Sequence, residues 1–256
     1  METDRLIRLT WLGQGGFLIE ADGVRVAVDP YLSQCVEDAQ GLTRLMPPPV
    51  SVHDLRPDIL VCTHDHLDHF DPVTVPQILN AFPACRLLGP ESIRMKAAEI
   101  GIAAERYALL DRHHGWNRNG LRIQAIPAFH SDPHAIGLLI QKNTRTLYIS
   151  GDTQYRDTIA PAILQLAAGG IIDCACVCIN GRLGNMSSDD AAIMMQELRP
   201  ALAIPMHYGL FSENTADPEA FIGACRAHGV AAGSLLPGVP AALPASVPIH
   251  ERFDRP

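Results

Sequence analysis

Directly after the apolar segment Ile59-Leu60-Val61-Cys62 the chain reads Thr63-His64-Asp65-His66-Leu67-Asp68-His69, which places three imidazoles and two carboxylates between His64 and His69. An apolar strand that ends in a polar loop is where open α/β scaffolds put their chemistry. A core has no use for this composition, because burying several ionisable side chains together is costly unless they are paired or bound to metal. A polar surface loop would leave the alternating spacing unexplained. The run therefore points to a metal site.

The rest of the composition narrows the surroundings of such a site. With 256 residues, 47% apolar and 19% charged, the chain is expected to form a single soluble domain over 1–256 with a sizeable core. A net charge of −8 and no Lys/Arg run argue against a nucleic-acid groove driven by bulk charge, so no nucleic-acid partner is expected. The charged start Met1-Glu2-Thr3-Asp4-Arg5 lacks the apolar core of an export signal, and no stretch reaches transmembrane length. A cytoplasmic protein acting on a small molecule, without a membrane partner, is the expectation. The seven cysteines show no disulfide spacing. Cys174, Cys176 and Cys178 alternate along one strand face and are expected to be buried packing residues.

Hydrophobic patterning supplies the frame. Strands are expected at Leu6 to Trp11, Phe17 to Glu20 and Val24 to Asp29, the first two separated by Gly13-Gln14-Gly15-Gly16 and the last two joined by the hairpin signal Asp22-Gly23. Thr74 and Gln77 suggest a capping box opening a helix, and a further helix is expected from about Ser92 to Glu99. A second strand-rich half follows, with Leu121 to Ile126, Ile136 to Ile140, Thr146 to Ile149 and the cysteine strand. Helices are expected from about Asp157 to Ala167, after the box Ser187/Asp190 and after Asp217-Pro218. The tail from Leu236, rich in Pro and Ala, is expected to wrap the surface. Two comparable halves of alternating strands and helices imply stacked sheets with helices outside.

Three more candidates each lie just past an apolar run: His130 after Ile126-Pro127-Ala128-Phe129, Asp152 after Leu147-Tyr148-Ile149-Ser150-Gly151, and His207 after Ile204-Pro205-Met206. Singly, each reads as a loop histidine or a turn aspartate. In order after the HxHxDH run, they resemble the metallo-β-lactamase fold superfamily, with Asp29 matching its first motif aspartate, over about Arg8 to Gly209. The resemblance implies an α/β fold, a four-layer αββα sandwich, with two metals in a cleft at one edge of the sheets. His64, His66 and His130 would hold one ion and Asp68, His69 and His207 the other, with Asp152 bridging them and Asp29 behind the ligands. Imidazole and carboxylate donors suit two divalent first-row ions, Mn²⁺ or Zn²⁺, with Fe²⁺ also compatible. Such a pair, about 3.5–4 Å apart, makes a hydroxide available near neutral pH for attack on a carbonyl or phosphoryl centre, with Asp68 and Asp152 fixing the ions and orienting the nucleophile.

A narrower resemblance rests on Trp11-Leu12-Gly13-Gln14-Gly15-Gly16-Phe17, the central run, Gly151-Asp152-Thr153-Gln154-Tyr155, Met186-Ser187-Ser188-Asp189-Asp190-Ala191 and Ile204-Pro205-Met206-His207. These look like the L-ascorbate-6-phosphate lactonase family, manganese-dependent hydrolases that open a phosphorylated sugar lactone. That likeness also implies a homo-oligomer. Around the metals, Arg182 and Asn180 are candidates for holding a substrate phosphate or carboxylate. His134, or failing it Asp132, is a candidate proton donor to the leaving group, and Tyr208 a candidate oxyanion donor. His113 and His114, beside Trp116, are expected in a surface loop, and His53, His228 and His250 belong to no constellation.

The leading expectation is a metal-dependent hydrolase of a small lactone or ester, such as L-ascorbate 6-phosphate. The alternatives are a dinuclear phosphodiesterase of nuclease or phospholipase type and, in another class, a non-catalytic metal-binding sensor.

Overall fold

The structure, a computed structural model, describes residues 7–112 and 114–243. The first half of the chain contains β1 (Ile7–Gly13), β2 (Gly16–Ala21), β3 (Val24–Val28), α1 (Cys35–Gln40), α2 (Val52–Leu55), β4 (Ile59–Val61), α3 (Thr74–Ala81), β5 (Arg86–Gly89), α4 (Glu91–Glu99) and β6 (Tyr107–Leu109). The second contains β7 (Gly115–Arg118), β8 (Leu121–Pro127), β9 (Ile136–Lys142), β10 (Arg145–Ile149), α5 (Ile159–Leu166), β11 (Cys174–Cys178), α6 (Ser188–Leu198), β12 (Ala203–Met206), α7 (Pro218–Ala227) and β13 (Ala241–Leu243).

Two sheets result, ordered β13-β1-β2-β3-β4-β5-β6 and β12-β11-β10-β9-β8-β7. In each, one half is a meander of antiparallel strands and the other half runs parallel through helical crossovers. Side-chain alternation shows how the first sheet is covered on both faces. Val26, Val28, Ile59 and Val61 point into the core between the sheets, where they meet Ile123, Leu138, Ile140 and Leu147. Their neighbours Ala27, Leu60 and Cys62 point the other way, onto Val75, Ile78 and Leu79 of α3 and Ile93 and Ala97 of α4. On the far side of the second sheet, α5 packs over β8, α6 over the cysteine strand β11 and α7 over β12, adding Ile163, Met194, Met195, Leu198 and Phe221 to the core. The layers are therefore helix, sheet, sheet, helix, the αββα sandwich that the sequence implies.

Local chemistry sets most boundaries. Asp22 and Gly23, both at positive φ, form the β2–β3 turn. The Ser187/Asp190 box caps α6, with Ser187 N donating to Asp190 Oδ2 at 3.1 Å and Asp190 N to Ser187 Oγ at 3.2 Å. Asp217 caps α7, accepting from Glu219 N at 3.0 Å. The expected Thr74/Gln77 box is not what starts α3. Asp71 is the cap: its Oδ1 accepts from Val73 N at 2.9 Å and Thr74 N at 3.0 Å, while the Thr74 hydroxyl donates to Oδ2 at 2.5 Å.

Two further expectations need correction. Residues around Trp116 form β7 on the sheet edge rather than a loop, and the tail contributes β13 to the first sheet through pairing with β1. Strands β5 and β6, absent from the sequence reading, extend the parallel half of the first sheet. They are too short, at four and three residues, to show a period of two. His113 and His250 lie outside the described residues. Cys174, Cys176 and Cys178 are buried and free of disulfides, as packing residues would be.

Candidate metal centre

Every residue of the ordered series leaves the sandwich at the same edge, from the C-terminal ends of β3, β4, β8, β10 and β12. There the sheets are laced together: Ile136 N donates to Thr63 O at 3.1 Å. The backbones pass so closely that a Cβ on Gly151 (φ +56°) would stand 2.7 Å from the Ile136 carbonyl oxygen. Gly151→Ala is expected to cost about 1–3 kcal/mol in backbone strain and to displace the adjacent Asp152. Urea unfolding and metal titration of that variant check both effects. Gly15 serves the same end on the other side, since a Cβ there would lie 2.6 Å from His69 Cε1. Gly15 of the first turn thus makes room for an imidazole.

The donor atoms fall into two sets. His64, His66, His130 and Asp152 have donor atoms within 4.8 Å of one another, and so do Asp68, His69 and His207. Asp152 touches both. Its Oδ2 lies 3.7 Å from His130 Nε2 and 3.0 Å from His207 Nε2, and its Oδ1 lies 3.3 Å from His69 Nε2. Asp68 Oδ2 is 3.5 Å from His207 Nε2 and 3.8 Å from His69 Nε2.

Hydrogen bonding behind the rings aims their lone pairs inward. Asp29, fully buried, accepts from Thr63 N at 2.8 Å, from the Thr63 hydroxyl at 2.6 Å and from His69 Nδ1 at 2.7 Å. Because the single Thr63 hydroxyl proton goes to Asp29, the 3.1 Å contact between Thr63 Oγ1 and His64 Nδ1 requires the ring to donate. Both rings therefore carry their proton on Nδ1 and present Nε2 to the centre. His130 Nδ1 likewise donates to the Gly184 carbonyl at 3.2 Å, and Ser131 Oγ holds His66 Nε2 at 3.0 Å. That leaves His130 Nε2 and His66 Nδ1 facing each other at 3.2 Å.

This donor set fits divalent metal. His64 Nε2, His69 Nε2 and Asp152 Oδ1 are buried without a hydrogen-bond partner, which a native interior tolerates only when something else satisfies them. Electrostatics of the metal-free protein agree. Burial pulls the His64 and His130 rings below their ordinary value, keeping both neutral. Burial also opposes charge on His69 and His207, but Asp152 and Asp68 outweigh it. They hold His69 well above its ordinary value and raise His207 to about 9. The Asp152 and Asp68 carboxyls are in turn held low by those rings, against burial. Burial pushes the Asp29 carboxyl up, against His69 and the two Thr63 donors. In the absence of a cation, the site recruits protons as counter-ions.

A cleft of about 610 Å³ opens over these residues, lined by His66, Asp68, His130, Asp152 and His207, with Val36, Leu42, Leu67, Leu183 and Phe211 as its apolar wall. Lys96 on α4 also lines it, 3.0 Å from Glu99. Several other candidates are not brought here. Arg182 is exposed and donates to the Glu213 carbonyl at 2.9 Å, outside the lining. His134 is exposed and outside it too. Asp132 is buried as a loop anchor, accepting from Ser92 Oγ at 2.6 Å and His134 N at 2.7 Å. Tyr208 is buried behind the site, its ring 4.8 Å from that of Trp11. His114 pairs with Asp111 at 2.5 Å on the surface, where His53 and His228 also lie exposed.

Two residues that hydrogen-bond the donor carboxylates escaped the sequence reading as site residues. Gln14, at φ +51° in the first turn, donates through Nε2 to Asp68 Oδ2 at 2.8 Å. Its carbonyl oxygen accepts the His207 backbone N–H at 3.0 Å. Asn185 donates to Asp152 Oδ2 at 2.8 Å. The glycine-flanked Gln14 carried a signal, since a glutamine in a turn built for close approach has few other reasons to be there. Asn185 carried none.

Comparison with known proteins agrees with the geometry. The family described as the beta-lactamase superfamily domain matches residues 8–207. A UPF0173 protein of Pyrococcus furiosus is 29% identical over 216 residues, covering 84% of this chain and 89% of the relative. A UPF0173 metal-dependent hydrolase of Pyrobaculum neutrophilum is 29% identical over 220 residues, covering 84% and 90%. Among solved structures, the metallo hydrolase Igni18 of Ignicoccus hospitalis superposes with a TM-score of 0.73 at 23% identity, over 93% of this chain and 98% of that one. The family match spans most of the sequence and contains the whole donor set, His64 to His207, so this chain belongs to the beta-lactamase superfamily domain family.

Proposed function

We propose that this protein is a metal-dependent hydrolase that opens a small lactone or ester, with a phosphorylated sugar lactone as the leading substrate class. The observation that carries the reading is the convergence of seven imidazole and carboxylate donors in two adjoining sets, with buried atoms left for a cation to satisfy. His64, His66 and His130 would hold one divalent ion, Mn²⁺ or Zn²⁺, and Asp68, His69 and His207 a second, with Asp152 reaching both. Bound there, such ions supply Lewis acidity and a water acidified toward neutral pH. The protein's own residues do the rest. Asp29 fixes the tautomers of His64 and His69, Gln14 steadies Asp68, and the apolar wall shields one side of the cleft from bulk water. The description of the Pyrobaculum relative as a metal-dependent hydrolase supports the reaction class.

Lys96 supports an anionic substituent on the substrate. With Arg182 turned to the Glu213 carbonyl, Lys96 is the ammonium among the described lining residues, and Glu99, with a smaller share from Asp65, holds it above its ordinary value. Lys96→Ala is expected to raise KM for a phosphorylated lactone about tenfold while leaving a neutral lactone within about twofold, as loss of a charge-assisted contact of about 1.4 kcal/mol would do. The setting that suits such a substrate is cytoplasmic; among the described residues no helix is long and apolar enough to cross a membrane.

The deciding experiment is hydrolysis of L-ascorbate 6-phosphate by metal-stripped protein reconstituted with Mn²⁺ or Zn²⁺, beside neutral lactones, esters and bis(p-nitrophenyl) phosphate. Metal-dependent lactone opening supports the proposal. Turnover of the phosphodiester alone would replace it with a phosphodiesterase, and tight metal binding without any turnover would favour a sensor.

A further inference from the structure

Beside Asp152 runs a line of three buried primary amides, two of which, Asn185 and Asn214, also border the cleft, and the metal reading above gives none of them a role. Asn185 Nδ2 donates both to Asp152 Oδ2 at 2.8 Å and to Asn180 Oδ1 at 3.0 Å. Asn180 Nδ2 donates in turn to Asn214 Oδ1 at 2.7 Å and to the Arg182 carbonyl at 3.3 Å. The three residues come from separate places in the chain: Asn180 just after β11, Asn185 in the turn before α6, and Asn214 in the loop after β12. All three are buried.

The direction of every bond follows from one end. An ionised carboxylate can only accept, so Asn185 must present its NH₂ to Asp152. Its second hydrogen then needs an acceptor, which Asn180 Oδ1 supplies. That choice turns the Asn180 NH₂ outward to Asn214 and the Arg182 carbonyl. Amide orientation is an assignment wherever a network is ambiguous, but here the carboxylate removes the ambiguity. The arrangement has a consequence for Asp152. The terminal torsion of aspartate is soft, so its carboxylate turns easily unless something holds it. The Asn185 bond pins Oδ2 on the side of His207 and His130, which leaves Oδ1 buried, without a hydrogen-bond partner, and 3.3 Å from His69 Nε2. With the carboxylate plane held in that orientation, its two oxygens face both donor sets.

We infer that Asn185, backed by Asn180 and Asn214, is a positioning residue that locks the rotation of Asp152 and so sets the affinity of the centre for both ions. Asn180 therefore acts at one remove from the carboxylate, inside the network rather than on a substrate phosphate. The inference rests on the metal reading above, but its geometric half does not need a metal.

The test compares wild type, Asn185→Ala and Asn180→Ala as full chains. Zn²⁺ titration by calorimetry and thermal unfolding of the metal-free forms are measured on each. Loss of an outer partner of a ligand typically weakens metal binding about 10–100-fold. That loss is expected for Asn185→Ala, with a smaller one for Asn180→Ala and less than the sum in the double variant. Filler residues would behave otherwise: unfolding of the metal-free chain would shift while Zn²⁺ affinity stayed within about twofold of wild type, and that result overturns the proposal. If Asn185→Ala does not fold, Asn180→Ala decides by the same criterion. Should wild type itself take up no Zn²⁺, the metal reading fails separately. The crystal structure of metal-free Asn185→Ala then decides: a rotated Asp152 carboxylate upholds the positioning role, and an unmoved one ends it.

Discussion

On the lactone-opening function proposed above, Asp152→Ala is expected to reduce turnover by about 10³-fold, equivalent to about 4 kcal/mol of transition-state stabilisation. The size follows from the position of that carboxylate. Asp152 is the one carboxylate among the described donors within 3.7 Å of ligands in both sets, so on the two-ion reading proposed above its removal loosens both ions. Asp68→Ala, which faces only His69 and His207, should weaken one set and leave the other able to bind. Metal content after dialysis separates the cases: well under one ion per chain for Asp152→Ala, about one for Asp68→Ala. Equal retention in both variants would contradict a shared carboxylate.

Removing metal is expected to change how stability depends on pH, and the sign is set by the four buried rings. In the metal-free chain His69 and His207 have raised values, the latter about 9, so their ion pairs with Asp68 and Asp152 contribute fully below an unfolded value near 6.5. The His207 share is lost as pH rises through about 9, and the His69 share is lost as pH rises through its own raised value. His64 and His130 have lowered values, so the unfolded chain takes up protons first and stability also falls as pH drops below about 6.5. The lowered Asp68 and Asp152 carboxyls add their share above the ordinary carboxylate range and lose it in acid. The metal-free protein should therefore be most stable near pH 6.5.

Metal reverses the alkaline limb, because bound imidazoles must be neutral and protons compete with the ions. At a free concentration 100 times its Kd, one ion adds about 2.7 kcal/mol. For a chain of this size that is a rise in Tm of about 5–11 °C. The rise should be larger at pH 9 than at pH 6.5 in chelator-treated and reloaded samples. Equal increments at both pH values would show that His207 and His69 are not displaced from their protons by metal.

How much of this was written legibly in the sequence depends on whether a signal is local. His64, His66, Asp68 and His69 share one loop, and their spacing declares the site without any knowledge of the fold. His130, Asp152 and His207 became legible only as a series at the ends of apolar runs. The αββα layering was implied by the family resemblance and by two comparable halves of strands and helices, and the structure shows how β4 serves it, with Ile59 and Val61 facing one core and Leu60 and Cys62 the other. What stayed hidden was decided by tertiary direction. Arg182 and His134 sit close in sequence to the edge that carries the site, yet both are exposed outside the cleft. Lys96, on a helix that reads as surface, borders the cleft instead. Asn185 looks like any turn asparagine until Asp152 folds against it. The α3 cap was misplaced by three residues because Asp71 and Thr74 are both good caps, and the structure uses the aspartate while turning the threonine into its partner.

The division of the donors between the sheets has a mechanical consequence. Four of them, His64, His66, Asp68 and His69, hang from the first sheet, and three, His130, Asp152 and His207, from the second. Within the described residues, no backbone ladder joins those sheets, which meet through packed apolar side chains and a few edge bonds such as Ile136 to Thr63. An ion held by both sets of donors is thus a rivet through two plates. Its binding energy opposes their sliding apart, and any strain that parts them is felt first as weaker grip on the ion. On the proposed metal reading, catalytic competence and the integrity of the sandwich would be one coupled equilibrium, so heat, denaturant or a wedge-like substitution between the sheets should release metal before secondary structure is lost.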